Sequence, residues 1–223
     1  MSEFALRIYE KFMDEFPYAI WESLYMCLLS TTMAFFIGLA LAILLVISGE
    51  KGLKPNKKLY TFLDFTTNTL RSFPFIILIV AIAPLTKLLV GTNIGTTATI
   101  VPLTIGAAPF IARLIEGAFK EVDAGLVEAA QSFGATNFQI IFKIILPEAL
   151  PSLVSTITVT LIVIVGFSAM AGVVGGGGVG TVAINRGYNG FDNEVLYISV
   201  VVLLIMVQIF QSFGDFVYKL IKK

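Results

Sequence analysis

The sequence predicts an all-α, polytopic membrane protein with five transmembrane helices, an N-terminus outside the cell membrane and a cytoplasmic C-terminus. Three observations support this fold class: an apolar composition, long runs without charge, and an uneven distribution of lysine and arginine. Of the 223 residues, 57% are hydrophobic and 13% are charged, whereas soluble domains have about a quarter charged residues. Mean hydropathy is +0.91. Most of the chain is therefore expected to lie in lipid.

The N-terminal segment differs from a cleaved secretory signal. Residues 1–16 mix Glu3, Glu10, Asp14 and Glu15 with Arg7 and Lys11, and no basic region precedes a short apolar core as it does in a signal peptide. The first apolar run is therefore expected to be retained. Residues 1–19 are predicted to form an N-terminal extracytoplasmic segment, and residues 20–223 the membrane domain.

Five segments are long enough to cross a hydrocarbon core of about 30 Å at about 1.5 Å per helical residue. They cover approximately residues 20–48, 60–89, 94–119, 148–174 and 195–217. The uncharged run after Glu148 continues to Asn185, which is too long for one crossing. Because glycine disfavours helix, the glycines between Gly172 and Gly180 predict that the helix ends near Val174 and that a loop follows.

Lysine and arginine set the orientation, because short loops rich in these residues stay in the cytoplasm. In a five-span arrangement one side has most of the basic residues: Lys51, Lys54, Lys57, Lys58, Arg113, Lys120, Lys143, Lys219, Lys222 and Lys223. The other side has only Arg7, Lys11, Lys87 and Arg186. The longest connection, residues 120–147, is therefore predicted to be cytoplasmic.

Two short helices are predicted in this connection. Asp123 suits a helix start, and the helix that follows has one apolar face formed by Leu126, Val127, Ala130 and Phe133. Gly134 is expected to end it in a left-handed conformation. Thr136 and Gln139 have the spacing of a capping box, which starts the second helix, and Pro147 is expected to break the chain before the next span.

Helices this short are marginal in water unless they pack against something. The apolar face could pack on the chain's own membrane helices. It could also enter the groove of a partner protein. The residue pattern by itself leaves both possibilities open.

The same segment resembles a known signature. Glu128-Ala129-Ala130, three residues, Gly134, nine residues and then Ile144-Ile145-Leu146-Pro147 is similar to the EAA motif of permease subunits of bacterial, binding-protein-dependent ABC importers. In that family the segment forms coupling helices that sit in a groove of the ATP-binding subunit. The resemblance implies that Glu128, Ala129, Ala130 and Gly134, with Leu126 and Phe133 beside them, couple the chain to an ATPase.

Four further stretches resemble the methionine-importer permeases, small five-span members of this class. They are residues 71–80, 100–116, 146–154 and 166–180. The resemblance implies a homodimer in the bacterial inner membrane that imports methionine, with D-methionine and derivatives as further candidates. Its implied partners are two copies of an ATP-binding subunit, an extracytoplasmic substrate-binding protein and membrane lipid. No nucleic-acid partner is expected.

No cofactor or metal site is predicted on this chain. It has no histidine and one cysteine, Cys27, so the usual transition-metal ligands are missing. The glycine run from Gly175 to Gly180 fits part of a phosphate loop, but Thr181 stands where that loop requires lysine. The run is predicted to allow close backbone packing or a bent re-entrant loop. The resemblance implies that ATP and Mg²⁺ bind the partner ATPase and that this chain is not an enzyme.

Four residues are candidates for the translocation pathway or its gate. Arg71 and Pro74 lie within the second predicted span, where proline bends a helix and arginine needs water or a partner; snorkelling to the interface is the alternative role for Arg71. Ser168 and Met170 lie in the fourth span. Methionine in an apolar helix is more often packing material.

Other function classes fit less well. An ABC importer for another amino acid or small solute is the nearest alternative. A stand-alone channel or secondary transporter would be expected to place acidic residues inside its spans, often in an inverted repeat, and here the acidic residues cluster near span ends. An intramembrane enzyme would need a catalytic set that this composition does not supply.

Overall fold

A computed structural model describes residues 3–222. Its first helix, α1 (Glu3–Ser48), has 46 residues and contains Pro17, which gives it a length of about 69 Å at about 1.5 Å per residue. The helix combines the predicted N-terminal segment with the first predicted span and has no break at position 19. The first two residues of the predicted segment lie outside the described residues.

The second predicted span, residues 60–89, is divided into three helices. They are α2 (Lys57–Ser72), α3 (Phe75–Ala81) and α4 (Ala83–Val90). Pro74 has no N–H to continue the helix, and the Phe73 amide turns back to donate to the Leu70 carbonyl at 3.3 Å. One continuous helix over 60–89 was therefore a wrong prediction, because Pro74 ends α2 rather than only bending it.

The central helix of the fold is α5 (Thr96–Lys120), which contains Pro102 and Pro109. Its side chains Leu103, Ile111 and Ile115 are fully buried. Gly38 allows α1 to approach closely, since a Cβ at that position would lie 2.4 Å from Ile111 Cγ2. The main core therefore forms where α1 crosses α5.

After α5 the chain forms α6 (Ala124–Ser132), α7 (Asn137–Ile140) and a π-helical turn (Ile141–Ile145). The chain continues through α8 (Leu146–Glu148), α9 (Leu150–Ala171) and a 3₁₀ turn (Gly172–Val174). The last elements are α10 (Gly178–Val182), a second π-helical turn (Ala183–Tyr188) and α11 (Asn193–Ile221). The end of α9 agrees with the predicted end near Val174. Much of the loop predicted after Val174 is helical instead.

Four helices among the described residues are long and apolar enough to cross a membrane. They are Ala5–Ser48, Thr96–Lys120, Leu150–Val174 and Asn193–Ile221. The segments α2, α3 and α4 are each shorter than a full crossing. Five crossings and their orientation therefore stay predictions.

A second, smaller core forms at the N-terminal end of α1. It contains Phe16 and Ala19 with Val179, Val195, Val202 and Met206. Four ion pairs among the described residues surround it: Arg7 with Glu194 at 2.6 Å, Lys11 with Asp192 at 2.5 Å and with Glu194 at 2.9 Å, and Arg186 with Glu15 at 2.5 Å. The hydrogen bond from Lys11 holds the pKa of the Asp192 carboxyl below its ordinary value. The first part of α1 is thus fixed to the segment that leads into α11.

Candidate functional site

The EAA segment folds as two helical pieces joined at a glycine. The Asp123 carboxylate caps α6 by accepting a hydrogen bond from the Gly125 amide at 2.8 Å, as predicted. Gly134 has φ +78°, and around it the Ala135 amide donates to the Ala130 carbonyl at 3.0 Å. The left-handed glycine therefore ends α6, which confirms the predicted left-handed end of this helix. Gly134 is the hinge between the two helical pieces.

The second piece begins with the predicted capping box. The Thr136 amide donates to Gln139 Oε1 at 2.9 Å, and the Gln139 amide donates to Thr136 Oγ1 at 3.3 Å. In the π turn that follows α7, the Leu146 amide donates to the Ile141 carbonyl, five residues back. The chain passes Pro147 in a helical conformation and reaches α9 through Ala149. The predicted break at Pro147 is therefore wrong, because the proline occupies the first turn of α8, where its missing N–H is tolerated.

Residues 123–145, made of α6, the Gly134 turn, α7 and the π-helical turn, form an elbow with a packed face and an open face. Ile140, Ile141 and Ile145 are buried in the chain's own core, and Val127, Ala130 and Ala135 pack partly against that core. On the open face Leu126, Phe138 and Phe142 are exposed, and the Phe133 side chain is 91% exposed. The inner face thus packs on the chain's own helices, and entry of the exposed face into a partner's groove stays a prediction.

Glu128 and Ala129 also lie on the exposed side of α6, whereas Ala130 faces inward. The Glu128 backbone carbonyl accepts a hydrogen bond from Ser132 Oγ at 3.0 Å. The structure therefore brings five of the six predicted coupling residues to the surface or the hinge, and turns Ala130 towards the core.

A charge network centred on the buried Glu116 lies at the end of α5 that leads into the elbow. Arg113 pairs with Glu116 at 2.6 Å, Lys120 pairs with Glu116 at 2.7 Å, and the Glu116 side chain is 3% exposed. The Arg113 guanidinium also binds the carboxylate and the backbone carbonyl of Asp64 in α2. Arg113 and Glu116 are three residues apart on one helix, a spacing that brings side chains together. Asp64 in α2 thus pairs with Arg113 of α5.

Arg71 and Pro74 lie beside the break between α2 and α3. Both are exposed, and Arg71 lines a cavity of about 150 Å³ together with Phe73, Phe110 and Phe167. Phe167 stacks on Phe75 with ring centroids 4.5 Å apart. This stack joins α3 to α9 next to the other two pathway candidates.

Ser168 and Met170 point to different surroundings. Ser168 is 2% exposed; its hydroxyl donates to the Val165 carbonyl at 2.8 Å and accepts from Cys27 Sγ at 3.8 Å. Met170 is 50% exposed. The four pathway candidates are thus not gathered into one site, and their roles stay predictions.

The glycine run after α9 contains a contact that the sequence did not reveal. Gly172 and Gly180 approach so closely that a Cβ on Gly172 would lie 2.3 Å from the Gly180 carbonyl carbon, which confirms the prediction of close backbone packing. Glu22 Oε2 in α1 accepts a hydrogen bond from the Gly178 amide at 2.8 Å. The two residues are 156 positions apart, so no local pattern could predict this bond.

Comparison with known families agrees with these features. The model of the family described as "Binding-protein-dependent transport system inner membrane component" matches residues 34–223. The chain belongs to this family. As a component of such a transport system it is a multi-pass protein of the inner membrane.

Several relatives resemble this family member over most of its length. The probable D-methionine transport system permease protein MetI of Vibrio cholerae serotype O1 is 53% identical over 197 residues, which is 88% of each chain. The protein of the same name from Pasteurella multocida is 44% identical and covers 87% of this chain and 89% of its own. The D-methionine transport system permease protein MetI of Escherichia coli K12 is 50% identical over 153 residues, 69% of this chain and 70% of its own.

Solved structures show the same fold. A chain of the MetNI methionine ABC transporter in inward-facing conformations is 43% identical over 100% of both chains, with a TM-score of 0.91. A chain of an amino acid ABC transporter has a TM-score of 0.76 at 20% identity, covering 98% of both chains, and shows the fold alone. The family match includes the elbow and all four pathway candidates and begins after Glu22.

Proposed function

We propose that this chain is the membrane-spanning permease subunit of an ATP-driven importer of methionine, with D-methionine and methionine derivatives as further candidate substrates. The observation that carries the proposal is the EAA elbow, whose caps and left-handed glycine hold an apolar open face. The similarity to MetI proteins and to the MetNI transporter supports the choice of substrate.

In the proposed assembly two copies of the chain pair, and each binds one ATPase subunit through residues 123–145. ATP and Mg²⁺ bind the ATPase, and the chain itself catalyses no reaction. Leu126, Glu128, Ala129 and Phe133 contact the ATPase, while Ala130 and Gly134 fix the elbow. Because the inner face of the elbow is packed into the core, a displacement of α6 is passed to α5 and α9.

The proposed orientation has the lysine-rich end of the molecule in the cytoplasm and the N-terminal end of α1 outside. The second crossing is then made by α2, α3 and α4 together. An extracytoplasmic binding protein delivers substrate at the end formed by the glycine run and the start of α11. Arg71, Pro74, Ser168 and Met170 line or brace the route between these ends.

Reconstituted transport tests the proposal. The chain is purified with its ATPase, placed in vesicles with the cognate binding protein, and supplied with ATP and radiolabelled L-methionine. We expect uptake that needs ATP, the ATPase and the binding protein, and that unlabelled D-methionine reduces.

Two outcomes would contradict it. Uptake without ATP or without the ATPase would favour a channel or a secondary transporter. Uptake of another amino acid in preference to methionine would show that the substrate assignment is wrong. It would still be consistent with an ATP-driven importer. A vesicle preparation with an ATPase that cannot hydrolyse ATP is the matched control.

A further inference from the structure

The glycine run that resembles a phosphate loop is occupied by a carboxylate of the same chain. Glu22 Oε2 accepts from the Gly178 amide at 2.8 Å, and Glu22 Oε1 accepts from the Thr96 hydroxyl at 2.6 Å. The next residue of α1, Ser23, accepts from the Val179 amide at 2.9 Å through its hydroxyl. Two neighbouring side chains of α1 thus hold the start of α10 and the start of α5.

The backbone of the turn is shaped for this approach. Gly177 has φ +84° and Gly178 has φ +74°, values that residues other than glycine rarely adopt. A Cβ on Gly177 would lie 2.7 Å from Thr96 Oγ1, and one on Gly178 would lie 2.5 Å from Ser23 Oγ. The glycines therefore bring the Gly178 backbone N–H to the Glu22 carboxylate, where a charge-assisted hydrogen bond is stronger than a neutral one.

Further bonds tie α5 to the same turn. The Gly95 amide donates to the Gly175 carbonyl at 2.9 Å, and the Thr99 hydroxyl donates to the Gly176 carbonyl at 3.1 Å. These bonds hold residues 175 and 176 against α5, whereas the Gly178 and Val179 amides are held by hydrogen bonds to Glu22 and Ser23. Glu22 is the one member of this set that bonds both α5 and α10.

The turn directly follows the part of α9 that contains Ser168 and Met170. Its position therefore determines where that end of α9 lies relative to α1 and α5. We propose that Glu22 is a positioning residue for the translocation pathway, holding the glycine turn against α1 and α5 at the end of the molecule where substrate enters. The transport part of this inference rests on the proposed function.

The first test measures the position of the turn without transport. Val179 is fully buried, so a Val179→Cys protein is expected to resist a membrane-impermeant maleimide, and the native Cys27 is buried as well. Adding Glu22→Ala should raise the labelling rate by about tenfold or more. The reason is that loss of one charge-assisted hydrogen bond should let the turn open locally more often and expose the cysteine. Asp14→Ala, which removes an exposed carboxylate from α1, should leave the rate unchanged.

The second test measures substrate transported per ATP hydrolysed in the reconstituted complex. Glu22→Ala should lower this ratio by about threefold or more, within the range by which coupling residues act. Glu22→Gln should restore most of it, because the amide oxygen can accept from Gly178 and the amide N–H can donate to the Thr96 hydroxyl. A purely structural loss would reduce the amount of folded protein and leave the ratio unchanged.

The inference would be overturned if Glu22→Ala left both the labelling rate and the ratio of substrate transported to ATP hydrolysed unchanged. It would also be overturned if Glu22→Gln were as impaired as Glu22→Ala. If Glu22→Ala does not fold, Thr96→Val removes one of the two donors and should give a smaller change in the same direction; wild-type values in that variant would also overturn it. If the wild type transports no methionine while the labelling behaves as expected, the proposed function fails and the positioning of the turn stands.

Discussion

The Ala135 amide and the Ala130 carbonyl are joined by a hydrogen bond of 3.0 Å that closes the end of α6 around Gly134. A Cβ at position 134 would meet no atom of the described residues within 4 Å. The requirement for glycine therefore comes from the backbone, whose φ is +78°, and not from space.

A β-branched residue at this hinge is expected to uncouple the subunit. Gly134→Val places a side chain in the left-handed region at a cost of about 1–2 kcal/mol, so the elbow should change conformation and ATP-driven uptake should fall severalfold. Gly134→Asn should retain more uptake, since asparagine tolerates this region. Gly117→Ala, in helical backbone with free space for the added Cβ, is the matched control. Equal uptake in the Val and Asn variants would contradict the role of the hinge.

Phe133 is expected to contribute to ATPase binding without stabilising the isolated chain. Its side chain is 91% exposed, so Phe133→Ala should leave Tm unchanged. If the side chain fills a pocket of the ATPase, its loss should weaken the complex by about tenfold or more, measured by titration of the detergent-solubilised subunits. Phe36→Ala removes an exposed phenylalanine from α1 and should not affect affinity. An unaltered Kd for Phe133→Ala would exclude this contact.

Glu116 is expected to be the most sensitive member of the charge network. It is 3% exposed and pairs with both Arg113 and Lys120. Glu116→Gln replaces the carboxylate that both cations share by a neutral amide, while Arg113 keeps Asp64, and the loss of charge-assisted hydrogen bonds to a buried group costs about 1–3 kcal/mol. Thermal unfolding in detergent should show a clearly lower Tm, whereas Glu121→Gln, at an exposed carboxylate, should not. The same Tm in both variants would mean that the network does not stabilise the fold.

Two glycines near the end of α9 are expected to respond in opposite ways to alanine. A Cβ on Gly180 would lie 2.5 Å from Ala169 Cα, whereas a Cβ on Gly166 would meet no described atom within 4 Å. Gly180→Ala should therefore destabilise the protein by about 1–3 kcal/mol through overpacking. Gly166→Ala should be neutral or stabilise α9 by up to about 1 kcal/mol. Unfolding in denaturant measures both, and a tolerated Gly180→Ala would disprove the close contact.

The ion pair between Lys11 and Asp192 predicts a pH dependence of stability. The Lys11 hydrogen bond lowers the pKa of the folded Asp192 carboxyl below 3.8, so its contribution is present above the unfolded pKa and is lost as pH falls through the folded pKa. The Tm difference between wild type and Lys11→Met should be constant near neutral pH and shrink below about pH 4. Lys51→Met, at an exposed lysine of the first connection, should show no such trend; a difference for Lys11→Met that grows on acidification would reverse the assigned sign.

Short-range sequence patterns were sufficient to predict the helix caps and the glycine turn of the elbow. Asp123, Gly134 and the pair Thr136 and Gln139 act on backbone groups two to five residues away, so their spacing alone determines the caps and the hinge. The sequence also placed α5, α9 and α11 within a few residues, because each is an apolar run ended by polar residues or glycine.

Contacts between distant parts of the chain were not predictable in the same way. Asp64 meets Arg113 across 49 positions and Glu22 meets Gly178 across 156, and both depend on how the helices pack. The continuity of α1 through position 19 was missed because its charged residues were taken for a separate segment. In the fold Arg7, Lys11 and Glu15 pair with residues at or shortly before the start of α11.

The ion pairs around the small core also bear on the order in which the molecule is assembled. Arg7 and Lys11 are separated from Glu194 and Asp192 by 187 and 181 positions, so their partners are synthesised only when almost the whole chain has been translated. The first helix is therefore made before these ion pairs can form. These ion pairs form only after the last helix has been inserted, which makes their formation one of the final steps in the biogenesis of the subunit.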